Sequence, residues 1–310
     1  MTVLVAGATG LAGSAIANAF QNNGVQVIPI NRSVVDLMDL EATRKFLKFA
    51  KPTLVVDAAA KVGGIGANNS HPVDFLADNI RIQSNLMQAA HEADVKKFVF
   101  LGSSCIYPRD CAQPIKEESL MTGPLETTNS AYAIAKIAGI ELVNSYRKEH
   151  GHNWISLMPT NLYGPGDNFD LQVSHVLPAL IRRFVEGVET KATSVTLWGS
   201  GAPLREFLHV DDLAQAVILT SQSYDSSLHL NVGSGEDVSI KELALLIKSL
   251  TGFQGEIIWD TGKPDGTPRK TLDVSRIKAL GWKPTIRLED GIASTIAWYI
   301  AASKQGGVRK

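Results

Sequence analysis

The chain has 310 residues, of which 45% are hydrophobic and 20% charged, and its formal net charge is −1. This length is enough for one large or two modest domains with a substantial core. The nearly balanced charge argues against a nucleic-acid or anionic-membrane partner. No apolar stretch approaches the ~20 residues of a membrane span, no signal segment precedes the first strand pattern, and two cysteines imply no disulfide framework. We therefore expect a cytoplasmic protein that binds neither nucleic acid nor membranes.

Apolar, β-prone runs alternate with helical patterns over the first half of the chain. The strand patterns are TVLVAGA, VQVIPI, TLVVDAAA, KFVFLGS and WISLMPTNLYG, and helices are predicted near residues 11–22, 41–50, 73–92 and 130–149. Strands that are apolar on both faces and separated by helices are typical of a parallel sheet covered on both sides. We predict an α/β fold with a Rossmann-like, doubly wound parallel sheet.

Beyond about residue 164 glycine, proline and aspartate become frequent, which predicts a smaller α/β lobe that binds the substrate. SIKELALLIKSLTG (239–252) is a helix with a capping box and a terminal glycine, and KPDGTPRK (263–270) is a loop. EFLHVDDLAQAVILT predicts a strand and a helix that return to the first sheet, with Asp211 and Asp212 capping the helix. The predicted division is 1–163 with about 204–232 for the cofactor domain, and about 164–203 with 233–310 for the substrate lobe.

Three glycines follow the first strand pattern directly, in VAGATGLAGSAI. Glycine permits a tight turn and close approach of the backbone to a diphosphate, and the helix N-terminus then supplies N–H groups. The same spacing also suits a tight turn without a ligand, but the strand–turn–helix context favours dinucleotide binding. The predicted cofactor loop comprises Gly7, Ala8, Thr9, Gly10, Leu11, Ala12 and Gly13.

The end of the second strand indicates which dinucleotide binds. An NAD site usually carries Asp or Glu there for the ribose 2′-hydroxyl. This chain has Asn31, Arg32 and Ser33 instead, which suits the 2′-phosphate of NADP. The alternative is that Arg32 is a solvated loop residue.

A tyrosine and a lysine share one face of the helix predicted near 130–149. Tyr132 and Lys136 are four residues apart, in SAYAIAKIAGIELVNSY. An ammonium near a phenol lowers its pKa of about 10, and a hydroxyl such as that of Ser103 can hold a carbonyl oxygen in line. The spacing is common on helices, but together with the glycine loop it favours carbonyl reduction.

These segments resemble the extended short-chain dehydrogenase/reductase family over essentially the whole chain. GATGLAG, Ser103 and YAIAK match its cofactor loop and catalytic residues, and REFLHVDD and LNVGSG resemble landmarks of its nucleotide-sugar members. AAAKVGGIGANN, GSSCIYP, MPTNLYGPGDNFD and SHVLPALIRRF are similar to segments of its GDP-sugar epimerase-reductases. Ala8 and Thr9 stand where bulkier polar residues are usual, and whether Arg32 or Ser33 meets the 2′-phosphate stays open.

The resemblance implies NADPH/NADP as cofactor, a homodimer and a GDP-sugar substrate. The implied reaction converts GDP-4-keto-6-deoxy-D-mannose to GDP-L-fucose by epimerisation at carbons 3 and 5, then reduction at carbon 4. By position, Cys105 is the base, His175 the acid, Ser103 and Tyr132 bind the ketone oxygen, and Lys136 holds the ribose. A thiol and an imidazole suit these tasks, although a cysteine at a strand end often packs and a histidine at a helix start often caps.

The resemblance assigns further positions to both ligands. The cofactor site takes in Leu101, Gly102, Ser103, Ser104, Tyr132, Lys136, Pro159, Thr160, Asn161, Leu162 and His175. The substrate site takes in Arg183, Trp198, Arg205, Asp265 and Lys270, of which the three cations suit the diphosphate and the tryptophan suits the guanine or the sugar wall. Each of these charges is also compatible with a solvated surface, Cys111 is interpreted as structural, and no metal site is predicted.

Two other functions fit parts of this pattern. A nucleotide-sugar 4-epimerase or dehydratase would hold NAD tightly; it would not need Cys105, and the Arg32 loop argues against it. A non-enzymatic NADP-binding regulator could share the fold, but the chain keeps Ser103, Tyr132 and Lys136 together.

Overall fold

The computed structural model describes residues 1–263 and 265–308, so Pro264 of the predicted 263–270 loop lies outside the described residues. The α-helices are α1 (Leu11–Asn22), α2 (Leu40–Ala50), α3 (Ile65–Ser70), α4 (Pro72–Glu92), α5 (Ser130–His150), α6 (Val176–Glu189), α7 (Val210–Ser223), α8 (Ile240–Thr251), α9 (Ser275–Ala279) and α10 (Leu288–Lys304). The strands are β1 (Thr2–Ala6), β2 (Gln26–Ile30), β3 (Leu54–Asp57), β4 (Lys97–Leu101), β5 (Asn153–Pro159), β6 (Asn161–Tyr163), β7 (Ser194–Trp198), β8 (Leu204–His209), β9 (Leu230–Val232), β10 (Asp237–Ser239), β11 (Glu256–Asp260) and β12 (Arg269–Lys270).

The main sheet has six parallel strands in the order β2-β1-β3-β4-β5-β9. Its central strands β3 and β4 are buried apart from the first residue of β4, as their continuous apolar runs predict. Helices α1 and α7 pack together, as do α4 and α5. The predicted doubly wound α/β fold is thereby confirmed. The strand order reverses between β1 and β3, which is where open α/β sheets bind ligands, at the carboxyl ends of the strands.

The local helix signals are also confirmed. Ser239 and Glu242 form the predicted capping box of α8, and Gly252 ends that helix in the left-handed region at φ 74°. The N-terminal cap of α7 is different from the prediction, because the side chain of His209 accepts from the Asp211 N–H. Asp212 instead accepts from the backbone N–H groups of Thr285 and Ile286, so its carboxylate fastens a distant loop.

The second lobe contains a small mixed sheet and corrects two predictions. Strand β8 does not return to the main sheet, since it pairs with β6, β10 and β12. The following helix α7 and strand β9 do belong to the main sheet's layers. Within the predicted 263–270 loop, Arg269 and Lys270 form the short parallel strand β12 beside β8.

A buried carboxylate holds this small sheet in place. Glu206 of β8 is fully buried, and its oxygens accept from the backbone N–H groups of Gly235 (2.7 Å) and Leu272 (2.8 Å). Burial raises the pKa of Glu206, while these N–H groups oppose that rise. The contacts fix the positions of Arg205, which precedes Glu206, and of Lys270, which lies two residues before Leu272.

Across the described residues, no helix is both long and apolar enough to cross a membrane.

Candidate active site

The glycine loop is built by close backbone approach. Gly7 has φ +75°, and a Cβ there would lie 2.7 Å from the Ala58 carbonyl oxygen. A Cβ on Gly13 would lie 2.2 Å from the Gly7 oxygen, which already accepts from the Gly10 N–H at 2.9 Å. Gly10 caps α1 without a side-chain hydrogen bond, so the first turn keeps free N–H groups. The loop therefore fits the diphosphate of a dinucleotide.

The segment after β2 presents a cation at the same edge of the sheet. The Arg32 side chain is 85% exposed and makes a 3.5 Å ion pair with Asp36. Asn31 accepts from both the backbone N–H and the hydroxyl of Ser33, at 2.9 and 2.6 Å. An exposed guanidinium retains donors for a 2′-phosphate.

The structure brings Ser103, Tyr132 and Lys136 together at the end of β4. The Lys136 ammonium donates to the Leu101 carbonyl at 2.9 Å and lies 5.9 Å from the centre of the Tyr132 ring. Burial lowers the pKa of Lys136 to about 8, and the Asp57 carboxylate opposes this shift. The lysine is thus a buried group that still titrates near neutral pH.

The expected lowering of the Tyr132 pKa is wrong for this structure. Burial raises the pKa of Tyr132, the Cys105 thiolate raises it further, and the Ser103 hydroxyl offsets only part of the rise. Desolvation of the phenolate therefore exceeds the stabilisation that the Ser103 hydroxyl supplies. A neutral phenol suits proton donation to a carbonyl oxygen.

Cys105 lies in the short 3₁₀ turn Ser104–Ile106 that follows Ser103. Its sulfur accepts from the Asn129 amide at 3.3 Å and from the Lys270 ammonium at 3.4 Å. Burial alone would raise the pKa of the thiol, but Lys270, Ser103 and the more distant Arg205 together lower it. The result is a thiol poised to act as a base.

His175 stands at the N-terminus of α6 and its side chain makes no cap hydrogen bond. The residue is exposed, yet the protein around its ring lowers the pKa of His175 by desolvation, and the Lys270 charge lowers it further. Because Lys270 acts on both Cys105 and His175, the predicted base and acid share one pocket.

The predicted substrate residues occupy different parts of the second lobe. Arg205 donates to the Asp265 carbonyl at 3.5 Å, and its charge reaches Cys105. The Asp265 carboxylate accepts from the N–H and hydroxyl of Ser200, both at 2.7 Å. Trp198 is 60% exposed beneath the Lys263 ammonium, whose nitrogen lies 5.3 Å from the ring centre. Arg183 is half-buried on α6.

Lys270 has a contact that the sequence did not predict. It was expected to meet the diphosphate, whereas its ammonium lies against the Cys105 sulfur. The remaining predicted cofactor positions line the ends of β4 and β5. A Cβ on Gly102 would lie 2.3 Å from the Met158 sulfur, and Asn161 donates to the Glu206 carbonyl at 2.8 Å.

Sequence reasoning missed three residues of this site. Asn129 touches the thiol, Asp57 acts on the buried lysine, and Gly64 touches the segment before His175. Only Asp57 left a sequence signal, as the one charged residue in an otherwise apolar strand. Among residues 1–263 and 265–308, no group of three or more His, Cys, Asp or Glu side chains could hold a metal ion.

A doubly wound sheet with a glycine loop and a Ser–Tyr–Lys group defines a nicotinamide-dinucleotide enzyme of the extended short-chain dehydrogenase/reductase type. Residues 3–233 match the model of the NAD dependent epimerase/dehydratase family, and the chain belongs to that family.

Named relatives cover nearly the whole chain. It is 52% identical over 299 residues to the putative GDP-L-fucose synthase 2 of Arabidopsis thaliana, covering 96% of this chain and 91% of that protein. It is 48% identical to the GDP-L-fucose synthase of Escherichia coli, covering 96% of each chain. A solved GDP-L-fucose synthetase from Naegleria fowleri bound to NADP is 30% identical, with a TM-score of 0.90, over 100% of this chain and 96% of that one.

Proposed function

We propose that the chain converts GDP-4-keto-6-deoxy-D-mannose to GDP-L-fucose with NADPH. One observation carries the proposal: a thiol with a lowered pKa, Cys105, lies in the same pocket as the reductase group of Ser103, Tyr132 and Lys136. A simple carbonyl reductase has no need of a second, independent base. Relatives at 52% and 48% identity that are named GDP-L-fucose synthase support the same conclusion.

The cofactor has a matching cradle in this chain. Gly7, Gly10 and Gly13 let the backbone approach a diphosphate closely, and Arg32 offers a cation to a 2′-phosphate. We assign the ribose to Lys136. NADPH supplies the hydride that reduces carbon 4. The NADP-bound relative of similar fold supports this choice.

Epimerisation uses the acidity of the protons beside the ketone. The Cys105 thiolate removes a proton from carbon 3 or carbon 5, and the electron pair moves to the ketone oxygen as an enolate. Ser103 and Tyr132 donate to that oxygen, which stabilises the enolate. His175 then returns a proton to the opposite face of the carbon. Lys270 stabilises the thiolate before the first transfer and disfavours the imidazolium, so it also promotes release of the proton from His175.

Reduction uses the other half of the site. Tyr132 donates its proton to the carbon-4 oxygen as that carbon receives hydride, and the nearby Lys136 ammonium stabilises the phenolate that results. The raised pKa of Tyr132 ensures that the phenol is protonated when the ketone arrives. Ser103 and Tyr132 therefore serve both the enolate and the alcohol.

The diphosphate and the guanine of the substrate are assigned to the second lobe. Arg205 is one cation for the diphosphate, because its charge reaches Cys105 in the pocket; burial lowers the pKa of Arg205, and the Asp265 and Cys105 charges oppose that shift. Trp198 offers an exposed ring for stacking, and the half-buried Arg183 supplies a further cation. The division into 1–163 with about 204–232 and about 164–203 with 233–310 completes the proposal, except that strand β8 (Leu204–His209) goes to the second lobe because its pairing partners lie there.

A homodimer in the cytoplasm is part of the same proposal. Val73 and Ile80 are exposed on one face of α4, and Ile134 is exposed on the adjacent α5. An apolar face on two neighbouring helices suits a second copy of the chain. Two free cysteines suit a reducing compartment.

The proposal is tested by incubating the protein with NADPH and GDP-4-keto-6-deoxy-D-mannose and identifying the product by NMR. GDP-L-fucose with stoichiometric NADPH oxidation is expected. An epimerised or dehydrated sugar formed without net cofactor oxidation would instead show a 4-epimerase or dehydratase, and no turnover with bound NADP would show a regulator.

A further inference from the structure

A carboxylate ends a strand of the main sheet that is buried along its whole length. Asp57 closes β3, has 0% exposure, and follows three buried apolar residues. One of its oxygens accepts from the Ala59 N–H at 3.2 Å, and the other has no hydrogen-bond partner among the described residues. Burying a carboxylate with an open oxygen is costly unless a positive charge accompanies it.

The position of this carboxylate places it beside the reductase group. Asp57 pairs with Ala6 of β1 on one side and with Phe100 of β4 on the other. The Lys136 ammonium lies 4.7 Å from the centre of the Phe100 ring and donates to the next residue, Leu101. A buried cation and a buried anion therefore lie across neighbouring strand ends, close to the point where the strand order reverses.

We propose that Asp57 is a positioning residue that keeps Lys136 cationic in its buried place, and so sustains proton donation by Tyr132. The role deepens the proposed reductase function and rests on it. Asp57 acts on the reaction through the lysine alone.

Among the described groups near Lys136, no other charge competes with Asp57 for this role. Tyr132 is neutral because burial raises its pKa, and the Cys105 charge acts on Tyr132. Burial lowers the pKa of Lys136 to about 8 against the pull of Asp57, and burial raises the pKa of Asp57 to about 6 against the pull of Lys136. Between these values both groups are charged, which spans cellular pH.

Asp57→Asn removes the charge and keeps the shape of the side chain. The pKa of Lys136 then falls, so the cation is lost at a lower pH. The basic limb of the pH profile for NADPH oxidation should move down by about one pH unit, because Asp57 is the charge that raises the pKa of Lys136 and neighbouring opposite charges contribute at least about that much. The KM for the keto sugar should stay unchanged, because Asp57 acts through Lys136 and not through a sugar contact.

A titration of the protein without cofactor tests the coupling directly. Lysines labelled with ¹³C at the ε carbon are followed by NMR against pH, with the Lys136 signal assigned through Lys136→Arg. The midpoint should lie near 8 in the unaltered protein and lower in Asp57→Asn. Ser156→Ala is the matched control, because Ser156 is 4% exposed, pairs with Phe100 from the other side and also carries an unpartnered oxygen.

The reciprocal variant keeps the test independent of one substitution. In Lys136→Gln the ¹³C-carboxyl midpoint of Asp57 should rise above its value near 6. Unchanged midpoints in both variants would overturn the inference, as would a Ser156→Ala shift as large as that of Asp57→Asn. Absence of turnover in the unaltered protein would refute the proposed function, and the lysine titration would still decide whether Asp57 holds the charge of Lys136.

Discussion

Removing the ammonium of Lys270 should weaken the base of the epimerisation. The Lys270 nitrogen lies 3.4 Å from the Cys105 sulfur and is the largest influence that lowers the pKa of the thiol. An opposite charge at this range typically changes a pKa by 1–3 units, and the partial exposure of Lys270 places the effect at the lower end. The thiolate fraction at neutral pH should therefore fall about tenfold in Lys270→Met.

The assay is the pH dependence of alkylation by iodoacetamide in a Cys111→Ser background, where Cys105 is the only thiol. The midpoint should move to higher pH in Lys270→Met and should stay in place in Lys270→Arg, which keeps the charge. Exchange of the carbon-3 proton in heavy water should fall in parallel. An alkylation midpoint that is equal in Lys270→Met and the unaltered protein would refute the reasoning, and would leave Ser103 and Arg205 to lower the pKa of the thiol.

Three further predictions follow from contacts on either side of this pocket. Arg32→Asp should lower the ratio of kcat/KM for NADPH to that for NADH by about 10- to 100-fold, the worth of a charged hydrogen bond, and an unchanged ratio would remove Arg32 from the 2′-phosphate site. Gly64→Ala puts a Cβ 2.7 Å from the Ser174 carbonyl, which displaces His175 and should slow proton return by up to about 100-fold. Gly66→Ala is the control, because its Cβ would meet only an oxygen at 3.8 Å and proton return should keep its rate. The folded-state pKa of Asp57, about 6, exceeds its unfolded value of about 4. The free energy of unfolding should therefore fall by about 3 kcal/mol as pH rises from about 4 through 6. Urea unfolding of Asp57→Asn at each pH should lack that fall.

The fold was predictable wherever a pattern is local. The alternation of apolar strands with helices predicted the parallel sheet, and Ser239 with Glu242 predicted the start of α8. Strand β8 was misplaced because an apolar strand before a helix suits either sheet, and only its partners decide. Helix α3 was missed because IGANNS is short and Ala67 is its only strong helix former.

The site was predictable only in part, because burial and long-range contacts are not encoded in spacing. Tyr132 and Lys136 do share a helix face, yet four-residue spacing does not reveal that burial and the Cys105 charge raise the phenol's pKa. Lys270 reaches Cys105 across 165 positions and Asn129 reaches it across 24, so neither contact leaves a motif. The strand–turn–helix arrangement around the glycines was predictable for the opposite reason, since strand, turn and helix are adjacent in the sequence.

The central claim is that one pocket runs two separable reactions. Cys105 serves epimerisation alone, whereas Tyr132 donates the proton of the reduction and only assists epimerisation by holding the enolate oxygen. The most direct measurement compares Cys105→Ser and Tyr132→Phe on GDP-4-keto-6-deoxy-D-mannose. Proton NMR in heavy water with NADP present reports exchange at carbons 3 and 5, and absorbance reports NADPH oxidation. Cys105→Ser should lose exchange at both carbons and still oxidise NADPH, while Tyr132→Phe should lose ~100- to 10,000-fold in NADPH oxidation and retain measurable exchange. Exchange in Cys105→Ser at the rate of the unaltered protein would contradict the account.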